Sequence, residues 1–161
     1  MTRRGAAALS ALAVAAASAC GSPLSHAEPS VPQQNSSCAN FRAGTLTRLT
    51  ESNTVLQCRD GQWQVFTDAY PSSDDWLTYG PELILRGQAR RNPEIRAGSW
   101  TGTPRDQETQ CSATQSVVIT PGQMAPPQVS AGHVGQPLEV TLTTQLATIA
   151  LSGNCLWHRD F

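Results

Sequence analysis

The sequence predicts an all-β fold: a small antiparallel β-sandwich or barrel with two disulfides, preceded by a signal peptide and a disordered stalk. Three observations carry this. No window longer than ten residues beyond the leader keeps a helical period, and short β-rich runs instead recur every 8 to 15 residues between Gly and Pro. One of these pairs of runs flanks Asp60-Gly61, a strong short-range hairpin signal. Setting aside Cys20, the cysteines number four, Cys38, Cys58, Cys111 and Cys155, an even set suited to an oxidised domain.

The 161 residues hold one domain plus a terminal appendage. All 11 basic residues are arginine, against 12 acids, for a net charge of −1. The absence of lysine excludes Schiff-base chemistry and a phosphate-loop lysine. The near-neutral balance argues against nucleic acid as a partner. Residues 1–19 read as a signal peptide, with Arg3 and Arg4 as the positive n-region and an Ala-rich run too short and weakly apolar to span a bilayer. Ala17-Ser18-Ala19-Cys20 resembles a bacterial lipobox, with Ala17 where Leu is usual, and the preferred reading is lipidation of Cys20. Cleavage after Ser25-His26-Ala27 by the ordinary peptidase is the alternative, and Arg3-Arg4 also raises a twin-arginine route. Residues 20–37, rich in Pro and Ser and lacking aromatics, read as a lipid-anchored flexible linker. Without the leader, nine arginines face twelve acids, a net charge of −3.

The folded domain is expected over residues 38–161, a size that buries roughly two-thirds of its unfolded surface. Residues 45–50 are a strand candidate. Residues 54–59 and 62–66 form the hairpin, in which a two-residue turn pairs Arg59 with Gln62, Cys58 with Trp63 and Leu56 with Val65. Leu56, Cys58, Trp63 and Val65 then share the buried face. Residues 70–76 read as a polar turn, 82–86 and 99–103 as short strands, and 114–120 as a clearer one. Residues 123–133 have no consistent period and read as a loop. Leu138, Val140 and Leu142 alternate with polar residues as a half-buried strand. Ile149 and Leu151 have the opposite parity, which requires a break near Thr144-Gln145 before the final strand from Cys155.

Four cysteines allow three pairings. Cys38–Cys58 with Cys111–Cys155 is preferred, the first closing the hairpin sheet locally and the second joining neighbouring strands of the second half. Bridges closing loops of this size contribute roughly 3–4 kcal/mol each in the chain-entropy model. Trp63 and Trp157, near the second Cys of each pair, are expected to pack on the disulfides.

No GxSxG, HExxH, CxxC, phosphate-loop or EF-hand pattern is present, and no catalytic residue, metal or cofactor is expected. A hydrolase would need a Ser or Asp converging on His133 or His158. Asp74-Asp75 read as a solvated turn rather than a cation seat. The one basic stretch holds Arg86, Arg90, Arg91, Arg96 and Arg105; the first four, with Trp76 and Tyr79, form the candidate contact surface, since aromatics and arginine dominate interface energetics. Against it stands the expectation that Glu82, Glu94, Asp106 and Glu108 balance the arginines on a solvated face.

The Ala-rich leader ending in Ala17-Ser18-Ala19-Cys20, the Ser/Pro stalk, the all-arginine basic content and the Cys-stapled β domain together resemble the exported lipoproteins of high-GC actinobacteria, mycobacteria in particular. The resemblance implies a lipid-anchored protein on the outer face of the cytoplasmic membrane. Its expected role is non-enzymatic binding of an anionic envelope polymer, a lipid or another envelope protein. The alternative is a carrier or chaperone for a lipid or wall precursor held between the sheets. No family's catalytic residues carry over, because no such motif is matched.

Overall fold

The structure, a computed structural model, describes residues 31–161. The signal peptide, Cys20 and the first part of the linker lie outside them. Twelve strands are described: β1 (Leu46–Arg48), β2 (Val55–Arg59), β3 (Gln62–Val65), β4 (Asp75–Leu77), β5 (Gly80–Arg86), β6 (Gly98–Pro104), β7 (Ser112–Thr120), β8 (Gln123–Met124), β9 (Gln128–Ala131), β10 (Leu138–Leu142), β11 (Leu146–Gly153) and β12 (Cys155–Arg159). They form a seven-stranded sheet in the order β10-β6-β12-β4-β1-β2-β3 and a smaller sheet, β5-β11-β7, with β8 and β9 both beside β7. Every ladder is antiparallel except β1 with β4, where Leu46 lies opposite Trp76.

The β2–β3 hairpin has the register that Asp60-Gly61 dictates, Arg59 to Gln62, Cys58 to Trp63 and Leu56 to Val65. Both turn residues have positive φ, 52° and 75°, as a type I′ turn requires. Val65 departs from its expected burial at 40% exposed, because β3 is the outermost strand of its sheet. Two further expectations are corrected. Residues 75 and 76, placed in a polar turn, belong with Leu77 to β4 in the middle of the larger sheet, and Trp76 is wholly buried there. Residues 123–131, expected as loop, supply β8 and β9. The break near Thr144-Gln145 is present between β10 and β11, which lie in different sheets.

Alternation of side chains gives the larger sheet a core on each face. Between the sheets, Leu46, Trp76, Trp100 and Trp157 meet Leu85, Leu146, Ile149 and Leu151. On the opposite face Leu56, Trp63 and Leu77 pack with the Cys38–Cys58 bridge, and Phe41 and Leu49 lean on them. The stretch before Cys38 helps close this second core. Asn35 N donates to Trp63 O at 2.7 Å, Trp63 N to Ser36 O at 2.9 Å, and Ser37 bridges Gln62. Residues 35–37, assigned to the linker in sequence, are therefore bonded to β3, and they cover the β3 edge that would otherwise offer unpaired backbone groups.

The second bridge, Cys111–Cys155, also forms. It was expected between neighbouring strands, but Cys111 precedes β7 in the smaller sheet and Cys155 opens β12 in the larger one, so it staples the two sheets. A single residue, Asn154, separates β11 from β12 at the same corner. Gly153 makes the crossing there with φ of 93°, and a Cβ on it would lie 2.4 Å from Gln110 O. Two disulfides indicate maturation in an oxidising environment. No helix among the described residues is long and apolar enough to cross a membrane.

Asp106 pins the same corner. Its carboxylate accepts from Thr109 Oγ1 at 2.8 Å, Asn154 Nδ2 at 3.0 Å and Glu108 N at 3.0 Å. These bonds, the one from Thr109 foremost and then that from Asn154, hold the carboxyl below its ordinary value of 3.8. Since the folded-state value is the lower one, the stabilisation is complete above the ordinary value and is lost as pH falls through the lowered one. The melting temperature of wild type should exceed that of Asp106→Ala at neutral pH, and the gap should close as pH drops well below 3.8. A gap constant down to pH 2 would show that the charge on Asp106 does not matter.

Candidate functional site

Residues 87–97 carry the chain from β5 in one sheet to β6 in the other, and the loop is tied down at several points. At its base, Glu94 N and Ile95 N donate to Arg86 O at 2.8 and 3.2 Å. The Glu94 side chain folds inward and is 3% exposed. Its Oε2 accepts from Arg86 N at 2.9 Å and Arg86 Nε at 3.1 Å, and its Oε1 accepts from Arg48 Nη2. The Glu94 carbonyl accepts from Trp76 Nε1 at 3.2 Å. Arg48 lies in β1 and Arg86 in β5, so one carboxylate joins the two sheets and the loop. A buried charge is tolerated when it is paired and its remaining lone pairs are filled, and here both conditions are met.

The rest of the loop is closed by Gln88 Oε1, which accepts from Ala97 N at 2.7 Å, and by Arg96 O, which accepts from Trp100 Nε1 at 2.9 Å. Ala89 N donates to Leu146 O at 2.9 Å, and Asn92 turns the tip with φ of 54°. What the loop presents outward is Arg90, Arg91 and Arg96, all exposed. Among the described residues their guanidinium groups have no ion pair. Two of the four acids expected to balance them are engaged elsewhere, Glu94 by Arg48 and Arg86 and Asp106 by Thr109 and Asn154.

The six candidate contact residues thus divide. Arg90, Arg91 and Arg96 are brought together on one scaffold. Arg86 is half-exposed and its guanidinium is engaged with Glu94, so it supports the loop. Trp76 lies beneath, at 0% exposed, and cannot touch a partner; its indole instead supports the Glu94 carbonyl. Tyr79 is buried too, at 9%, because its hydroxyl donates to Arg48 O at 3.2 Å and accepts from Thr50 N at 3.0 Å. It borders an open groove of about 630 Å³ with Val31, Pro32, Leu49 and Pro81. Arg48 and Gln88 carry no signal in the sequence, and Glu94, expected on a solvated face with three other acids, is instead buried. A buried acid in a loop leaves no periodic signal, and Arg48 lies 46 residues from its partner.

The only acid–histidine pair among the described residues is Asp75 with His158, Oδ1 to Nδ1 at 2.8 Å. It has two members of a hydrolytic triad in the right relation. However, Arg42 Nη1 stands 3.1 Å from Nδ1 and 2.9 Å from Nε2. The two nitrogens flank Cε1, so a group nearly equidistant from both lies over the ring. Arg42 thus packs on the face of the imidazole, and among the described residues no serine, threonine or cysteine side chain hydrogen-bonds to either ring nitrogen. Asp74 lies 3.5 Å from Arg159 Nη1, so the two adjacent aspartates are each held by a separate base. His133 is exposed in the turn after β9. In comparisons with protein-family models, curated proteins and solved structures, nothing matches the chain.

Proposed function

We propose that the chain is an exported, non-enzymatic binding domain, displayed at the cell envelope on a short stalk and anchored by lipid on Cys20. The observation that supports it best is the filled interior. Trp76, Trp100 and Trp157, each at most 1% exposed, occupy the space between the sheets together with the aliphatic core. A carrier for a lipid or wall precursor needs an apolar cavity there. A hydrolase needs a nucleophile beside its histidine, and among the described residues the side chains hydrogen-bonded to the His158 ring are those of Asp75 and Arg42. What the domain offers is surface, and the exposed arginines suit an anionic envelope polymer, lipid or protein. The disulfides agree with export, and the lipobox-like tetrapeptide motivates the anchor.

Partitioning full-length wild type and Cys20→Ala between detergent and water tests the anchor. Wild type should enter the detergent phase and Cys20→Ala should remain in water, with both retaining two disulfides. Equal water solubility, with both chains beginning at Glu28, would replace the anchored reading by a secreted one. Isolated envelope material should retain wild type through salt-sensitive contacts; no retention at any salt concentration would count against the binding role itself.

A further inference from the structure

We propose that the 87–97 loop is a docking site for a linear polyanion, a chain bearing repeated phosphate or carboxylate groups, with Arg90, Arg91 and Arg96 as its contacts. The inference rests on the binding reading above and adds to it the site and the chemistry of the partner. Three features point this way. The arginines are exposed and have no acidic partner among the described residues, so their charge is free for a ligand. Arginine's planar fork matches phosphate and carboxylate oxygens in pairs. Finally, the scaffold is already ordered: a wholly engaged buried carboxylate, the Gln88–Ala97 bond and the Trp100–Arg96 bond hold the loop at both ends. Less backbone ordering then remains to be done on binding.

The same geometry selects a polymer over a single small anion. All three side chains are exposed on the same loop. An exposed charge contact is weak and is screened by salt. A lone phosphate reaching one arginine gains little, whereas a chain of anions engages the second and third groups intramolecularly at a high effective concentration. Glu94 is a positioning residue in this scheme, since it touches the arginine-bearing backbone and not the ligand.

The test titrates the full-length Cys20→Ala protein, which needs no detergent and keeps the loop unchanged, with inorganic polyphosphate, with orthophosphate and with phosphatidylglycerol vesicles. Polyphosphate should bind at least tenfold more tightly than orthophosphate, and its affinity should fall as salt rises, with a logarithmic slope of roughly 2–3 for three neutralised anions. Arg90→Ala with Arg91→Ala and Arg96→Ala should lower polyphosphate affinity at least tenfold and leave the melting temperature unchanged. The matching triple Arg→Lys variant, which keeps the charge and loses the fork, should lose a smaller factor. Gln88→Ala removes no charge but opens the loop, and should weaken binding several-fold. The site is overturned if the triple alanine variant binds polyphosphate as wild type does, if orthophosphate binds equally well, or if only vesicles bind. Should envelope material retain wild type and the triple alanine variant equally, the loop is excluded while the binding role stands. Loss of retention by wild type itself removes both.

Discussion

Replacing Trp157 with alanine should destabilise the domain by about 3–5 kcal/mol, the range for deleting a large aromatic from a packed core. Trp157 is 0% exposed, and its indole lies between two neighbours on β4 and β6, Trp76 and Gly102. It meets Gly102 so closely that a Cβ there would lie 2.6 Å from Cζ3. Its Nε1 reaches Thr78 Oγ1 at 3.3 Å, so the truncation also removes a buried hydrogen bond. A domain of this size has only about 5–15 kcal/mol to lose, and the melting temperature should fall by about 10 °C or more. The reciprocal change, Gly102→Ala, should cost about 1–3 kcal/mol by overpacking a ring that has no room to move. The double variant makes the argument falsifiable. With the ring gone the added methyl meets empty space, so Gly102→Ala should cost far less in the Trp157→Ala background. Strict additivity would show that the two residues do not touch in solution.

That contact illustrates which parts of the fold are legible in the sequence. Trp157 can be assigned to a core from its type and from its place behind Cys155, and the β2–β3 register can be assigned from Asp60-Gly61, because a type I′ turn leaves one pairing open. Both disulfides were likewise anticipated, since Cys58 belongs to the hairpin and Cys111 and Cys155 adjoin the strongest strands. That the second joins two sheets was not, because sheet membership depends on non-local pairing. The strand β4 was missed for the same reason. Its three residues follow Ser72-Ser73-Asp74, and only their neighbours β1 and β12 show that Trp76 is central. The strands β8 and β9 were missed because Met124 and Val129 are exposed, so no buried face imprints an alternation there. For the loop, arginine clustering located Arg90, Arg91 and Arg96. The residue that holds them in place was read as one surface acid among several.

That residue carries the second large effect. Glu94→Ala should destabilise the domain by about 3–5 kcal/mol, as much as a core truncation. It would leave the Arg48 side chain, only 18% exposed, without its counter-charge, and the Arg86 amide without its acceptor. The loss would come chiefly from the orphaned groups, since a buried ion pair has already spent much of its attraction on desolvation. Removing both members together should therefore be milder: Arg48→Met with Glu94→Leu should lose less than Glu94→Ala alone, although Ile84 O then lacks its Arg48 donor and the Arg86 amide still lacks its acceptor. If the double variant is instead the less stable, the attraction outweighs desolvation and the pair is a net stabiliser. The double variant also separates folding from function. It keeps Arg90, Arg91 and Arg96 and the backbone bonds of Glu94, but loses the carboxylate that clamps the loop to β5. At a temperature where it is fully folded, polyphosphate binding should drop several-fold below wild type. Binding equal to wild type would show that the three arginines act without the buried clamp, and that Glu94 serves the fold alone.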